Sequence, residues 1–78
     1  MYDIEVYTKE DCIYCKKTKD LLSMLKLEYV LLLVDKDFDG ATFKEKFWPS
    51  YPCVIVDGKI IGGYTEFANW CLDRGKFG

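Results

Sequence analysis

The side chains best suited to chemistry in this chain are two cysteines three apart, Cys12 and Cys15, separated by Ile13 and Tyr14. Where a helix begins at the first of such a pair, the second lies one turn along the same face, and the two sulfurs come within disulfide reach. The chemistry this permits is thiol-disulfide exchange, in which one thiolate attacks a disulfide and the other displaces the product from the mixed disulfide. A sulfur at a helix start lies close to unpaired backbone N–H groups and the positive end of the helix dipole, and both favour thiolate over thiol. Lys9, Lys16 and Lys17 add positive charge near Cys12, while Glu10 and Asp11 oppose it. A more acidic thiol gains thiolate but loses nucleophilicity along a Brønsted slope of about 0.4–0.5. The larger benefit therefore falls on the return step, where the same sulfur is the leaving group. Cys15, a turn away from the dipole end, is expected to be less acidic. This asymmetry makes Cys12 the attacking sulfur and Cys15 the resolving one.

The two other cysteines, Cys53 and Cys71, each fall within an apolar run and read as core residues. They lack the C-x-x-C spacing that would complete a zinc site with the first pair. The chain has no histidine, which removes cysteine–histidine nucleophile pairs, imidazole bases and mixed cysteine–histidine zinc sites. Eleven basic residues against 13 acidic ones, a net charge of −2, give no footprint for nucleic acid. The longest apolar run, Tyr29 to Val34, is too short to span a membrane. Acids at Asp3 and Glu5 stand where a secretory leader would carry basic residues. The expectation is a cytoplasmic protein in a reducing compartment, where paired cysteines serve catalysis more often than stapling. Half of the 78 residues are apolar and 17% are aromatic, enough for one compact domain spanning 1–78.

The elements that must position the pair follow from periodicity. Residues 2–7 alternate about Ile4 and Val6 as a first strand, followed by a polar turn at Lys9 to Asp11. From Cys12 to about Leu25 the spacing is helical, with Thr18, Leu21, Leu22 and Leu25 on one face. Tyr29 to Val34 reads as a strand buried on both faces, as parallel strands usually are. Asp37, Asp39 and Gly40 offer a turn and N-cap for a short helix over 41–47, with Phe43 and Phe47 on one side and Pro49 as its stop. Cys53 to Val56 and Lys59 to Ile61 flank Asp57-Gly58 as an antiparallel hairpin. Thr65 is the expected N-cap of a last helix turning Phe67, Ala68, Trp70, Cys71 and Leu72 inward, with Gly75 closing it. The order β-α-β-α-β-β-α, with a parallel first pair and an antiparallel hairpin, predicts an α/β chain with a mixed four-stranded sheet and three helices, of thioredoxin-like type. The cysteine pair then sits beyond the C-terminal end of a strand, where open α/β sheets place their ligands.

Three blocks of the sequence carry a resemblance. Cys12-Ile13-Tyr14-Cys15, preceded by Lys9, resembles the C-P-Y-C of dithiol glutaredoxins and their upstream lysine. Ser50-Tyr51-Pro52 is similar to the family's T-V-P, whose proline is cis, and Gly62-Gly63-Tyr64-Thr65-Glu66-Phe67 to the bacterial G-G-Y-T-D-F. The resemblance implies a glutathione-dependent disulfide reductase in which these blocks form a groove for the tripeptide. Lys9 would meet the glycine carboxylate, Tyr14 would form an aromatic wall, and Tyr51 would offer its backbone to the cysteinyl residue beside Pro52. Gly62 and Gly63 would allow close approach, the N–H groups around Tyr64 and Thr65 would hold the γ-glutamyl carboxylate, and Glu66 would face the amine. Lys44 or Lys46 would supply the family's contact from the second helix. Partners implied are glutathione and disulfide-bearing proteins such as ribonucleotide reductase, with the chain acting as a monomer. Ile13 stands where the family usually has proline, and loss of that proline is associated in glutaredoxins with a [2Fe-2S] cluster held between two subunits by the first cysteine and glutathione. A thioredoxin-like electron donor reduced by a flavoenzyme is the remaining alternative.

Overall fold

In a computed structural model the chain is described over residues 2–73, so the expected helix stop at Gly75 lies outside the described residues. Strand β1 (Ile4–Thr8) buries every second residue, Ile4, Val6 and Thr8. The turn that follows passes through Asp11, whose φ of 53° is left-handed, and delivers the chain to helix α1 (Ile13–Met24). Thr18 and Leu22 form its buried stripe. Lys26, at φ 58°, ends it with N–H bonds folding back from Lys26 to Ser23 and from Leu27 to Leu22, the arrangement by which a left-handed residue satisfies the last carbonyls.

Strand β2 (Val30–Leu33) pairs parallel with β1, and α2 (Gly40–Lys46) begins at Asp39, whose carboxylate accepts from the Thr42 N–H at 3.1 Å. Strands β3 (Cys53–Val56) and β4 (Lys59–Gly62) form the antiparallel hairpin, turning through Asp57 and Gly58 at φ 51° and 81°. Both positive angles are what a two-residue turn of the primed type requires. Helix α3 (Tyr64–Asp73) ends the described chain. The sheet order is β2-β1-β3-β4, with β1 antiparallel to β3, the mixed four-stranded sheet the sequence predicts.

Period-two alternation sorts the core onto two faces of this sheet. Ile4, Val6, Val54 and Val56 meet Leu22 of α1 and Phe67 and Cys71 of α3 on one face. Cys53 and Ile55 meet Phe43 of α2 on the other, under a cover of Tyr7, Phe38, Trp48 and Tyr51. The second face is an aromatic stack: Phe43 lies nearly parallel to Tyr7 at 4.7 Å, to Phe47 at 5.4 Å and to Tyr51 at 5.7 Å between centroids.

Three expectations are corrected. β2 is not buried on both faces: it is the sheet edge, and Val30 and Leu31 are 55% and 43% exposed. A continuous apolar run signals two covered faces only where other elements reach over the strand, and α1 leans toward α3 instead. Thr65 does not cap α3. Helix α3 starts one residue before it, and Gly63 holds the cap position, its N–H bonded to the Glu66 carboxylate at 2.8 Å while its carbonyl accepts from Phe67 N–H. Leu72 does not face inward but is 65% exposed.

Candidate active site

The β1–α1 turn sets Cys12 at the N-cap of α1 with extended backbone, φ −114° and ψ 111°. Its sulfur folds back over the open end of the helix and accepts the Cys15 N–H at 3.2 Å. On its other side the sulfur lies 3.9 Å from the Tyr51 carbonyl oxygen, to which the thiol donates. Cys12 is half-buried and Cys15 is 3% exposed, and both are free thiols. The expected helix start is thus met with a refinement: Cys12 is the cap itself, so its side chain occupies the place that an aspartate or serine oxygen takes in most helices.

Burial, reinforced by a hydrogen bond to Cys12 and opposed by one from the Lys9 backbone, pushes the Cys15 thiol up to about 12. Cys15 is therefore protonated at neutral pH and waits as a thiol behind the half-exposed Cys12. Cys53, fully buried, is likewise pushed up to about 12, by burial alone. Against an ordinary thiol near 8.5, the folded chain retains two protons that the unfolded chain releases. Stability from these groups is complete below about pH 8.5 and is lost as pH rises toward 12. The urea midpoint, followed by circular dichroism, is expected to fall steadily between about pH 9 and pH 11, and less steeply in Cys53→Ala. A midpoint constant over that range would show that the buried thiols do not carry the effect.

A pocket of about 180 Å³ opens beside Cys12 and is lined by Tyr14, Ser50, Tyr51, Pro52, and the run from Gly63 to Glu66. Three stretches far apart in sequence converge here: the cysteine motif, the approach to β3 and the start of α3. Tyr14 and Tyr64 stand with ring centroids 6.0 Å apart at one rim, and Lys17 Nζ lies 5.2 Å from the Tyr14 ring centre. The Tyr51–Pro52 peptide is cis and presents the Tyr51 carbonyl to Cys12. The Tyr51 ring turns away into the aromatic stack on the α2 face, where burial, with Asp35 next, raises its hydroxyl above the ordinary range. Its bulk, relative to the valine of the similar motif, is thus absorbed behind the pocket. Glu66 spends one oxygen on the Gly63 N–H.

Four of the sequence-derived residues stand elsewhere. Gly62 is buried beneath the pocket rather than lining it: at φ 127°, a β-carbon there would come within 2.8 Å of Glu66 and 3.2 Å of Trp48. Its bare backbone serves the β4–α3 junction. Lys9 does not line the pocket but a separate depression, together with Cys12, Cys15 and residues of α1 and β2. Lys44 and Lys46, in the last turn of α2, are exposed and line neither. Ser50, which opens the Ser50-Tyr51-Pro52 block without an assigned role, also lines the pocket.

The chain matches the family model described as Glutaredoxin over residues 4–61, most of its length. It is 32% identical over 78 residues to Glutaredoxin 1 of Escherichia coli, covering 88% of this chain and 92% of that protein. It is also 32% identical over 68 residues to the chloroplastic Glutaredoxin-C4 of rice, covering 81% of this chain but only 51% of that longer protein. The crystal structure of a buckwheat glutaredoxin–glutathione complex superposes with a TM-score of 0.78 at 27% identity, covering 94% of this chain and 71% of that one. With a thioredoxin-like sheet, a C-x-x-C pair whose first sulfur caps α1, and these likenesses, the chain belongs to the glutaredoxin family of thiol-disulfide oxidoreductases.

Proposed function

We propose that this protein is a glutathione-dependent reductase of protein disulfides and glutathionyl mixed disulfides, acting as a monomer in a reducing cytoplasm. The observation that carries the reading is the setting of Cys12: its sulfur caps α1, accepts the Cys15 N–H at 3.2 Å and borders the pocket of Tyr14, Tyr51, Pro52 and the α3 start. An anion on that sulfur faces an N–H dipole and the positive end of α1, an arrangement that helps the sulfur most when it departs.

In the forward reaction the Cys12 thiolate attacks one sulfur of a substrate disulfide. The substrate S–S bond breaks, a Cys12 mixed disulfide forms, and the departing thiolate takes a proton. Cys15 then gives up its proton and attacks the Cys12 sulfur, closing the Cys12–Cys15 disulfide and releasing the second substrate thiol. The substrate gains two electrons and two protons, and the enzyme loses them. Two glutathione thiols reverse the change and leave as oxidised glutathione. A glutathionyl mixed disulfide needs only the first sulfur, since a second glutathione displaces the one on Cys12.

The pocket suits the tripeptide in this scheme. The Tyr51 carbonyl and amide pair strand-like with its cysteinyl residue. The free N–H groups of the first turn of α3, at Tyr64, Thr65 and Glu66, receive the γ-glutamyl carboxylate. The carboxylate of Glu66 has lone pairs left for the ligand's amine beyond the one given to Gly63. Gly63 leaves room, since a β-carbon there would stand 3.1 Å from Glu66 Oε1. Lys9, which shares a depression with Cys12, is assigned to the glycine carboxylate.

Reduction of hydroxyethyl disulfide measured with glutathione and glutathione reductase, and separately with thioredoxin reductase, tests the reading. Turnover is expected with the first pair. Turnover with the flavoenzyme alone would replace glutathione by that donor. A bridging cluster, held by the first cysteine of each subunit and glutathione, has only Ile13 in its favour.

A further inference from the structure

The depression that holds Lys9 also takes in Cys12 and Cys15 and shares no lining residue with the pocket of Tyr14, Tyr51 and the α3 start. Cys12, Lys16 and Lys19 from the α1 side and Leu31 and Leu33 from β2 line it, enclosing about 400 Å³. Its charges are ordered. Glu10 and Asp11 belong to the turn at the sulfur end, while Lys16 and Lys19 follow one and two turns down α1. Among the described residues neither lysine is engaged in an ion pair, so both cations face the depression unneutralised on a chain whose net charge is −2. Leu31, 43% exposed on the edge strand, gives the opposite wall an apolar surface.

We infer that this depression seats the segment flanking the reacting cysteine of a protein substrate, and that it selects an extended, partly apolar segment with carboxylates two and three residues from that cysteine. The spacing follows from the two backbones. Lys16 and Lys19 lie four and seven residues beyond Cys12, about 6 and 10 Å along a helix rising 1.5 Å per residue. An extended chain leaving the sulfur covers those distances in about two and three residues at 3.3 Å each. A carboxylate directly next to the cysteine would instead meet Glu10 and Asp11. Long-range attraction of this kind acts mainly on encounter and is screened by salt. The inference rests on the thiol-disulfide exchange proposed above and adds to it the stretch of this depression beyond Lys9, along Lys16 and Lys19, to which no part of glutathione is assigned.

The test uses three peptide disulfides reduced by the intact enzyme with glutathione: one with glutamates two and three residues from the cysteine on both sides, one with glutamines there, and one with glutamates adjacent to the cysteine. At low ionic strength kcat/KM is expected to be roughly tenfold higher for the first than for the other two, falling to within about twofold in 0.5 M salt. Lys19→Glu is expected to erase the preference and Lys19→Gln to reduce it, with hydroxyethyl disulfide turnover held within about twofold in both. Equal kcat/KM for the three peptides, a preference that persists in high salt, or one that survives Lys19→Glu would overturn the inference. The salt arm needs no variant, so it decides even where a substitution impairs folding. Failure of the unmodified enzyme on hydroxyethyl disulfide would count against the glutathione reading instead.

Discussion

Cys12→Ser is expected to lower turnover of every disulfide substrate by at least about a thousandfold, because the other three thiols are buried and cannot replace the nucleophile. Cys15 and Cys53 are buried thiols pushed up to about 12, and Cys71 is buried with its thiol raised by the same cause. Cys15→Ser is expected to behave differently. The group that Cys15 contributes to the resting Cys12 sulfur is its backbone N–H at 3.2 Å, which serine keeps. Reduction of glutathionyl mixed disulfides should therefore stay within about threefold of the parent rate, since that route uses one sulfur. Reduction of an intramolecular protein disulfide, which needs the second sulfur to free the enzyme, should fall by more than about tenfold. Steady-state assays on one substrate of each type separate the two steps, and equal losses in both variants on both substrates would refute the division of labour.

Phe67→Ala is expected to cost about 3–5 kcal/mol, the range for truncating a buried aromatic residue. Phe67 is fully buried between the sheet and α1 and stacks on Trp70 at 5.8 Å between centroids. A domain of this size holds only some 4–12 kcal/mol of net stability, so the change removes about a quarter or more of it. Urea denaturation measures the loss. Its effect on function is specific as well, because Phe67 fixes the first turn of α3, and that turn carries Tyr64, Thr65 and Glu66 into the pocket. A loss below about 1 kcal/mol would mean that α3 is held by something other than this ring.

The elements legible in the sequence were those with a strong local signature. Cys12 followed by the Thr18, Leu21, Leu22 and Leu25 stripe located α1, and Asp57-Gly58 located the hairpin to the residue. What was illegible depended on which neighbour reaches where. Nothing in Tyr29 to Val34 says that α1 leaves the outer strand half-covered, so an edge strand read as a central one. At the start of α3, a good capping residue, Thr65, lost to Gly63 because Glu66 three residues on bonds back to the Gly63 N–H, a reciprocity that competes with the simple preference for threonine. The site residues were found through their motifs, but their division between two hollows was not, since a sequence motif carries no information about which side of Cys12 a lysine approaches. Tyr51 shows the same limit: its place before Pro52 was legible, whereas the destination of its ring among Phe38 and Phe43 depended on α2 crossing the opposite face of the sheet.

The neighbours of the Cys12 sulfur reach it over very different lengths of chain. The N–H that faces it comes from three residues away, within one helical turn, while the carbonyl that faces it comes from 39 residues away and the opposing pocket wall from further still. Local contacts form early and distant ones only once the sheet has closed over them. The contact at the helix end closes within one turn, whereas the surface that would choose a partner exists only once β3 and α3 have docked. Until β3 and α3 dock, that sulfur is open to whatever disulfide or oxidant it meets, and completion of the fold is what turns an indiscriminate thiol into a discriminating one.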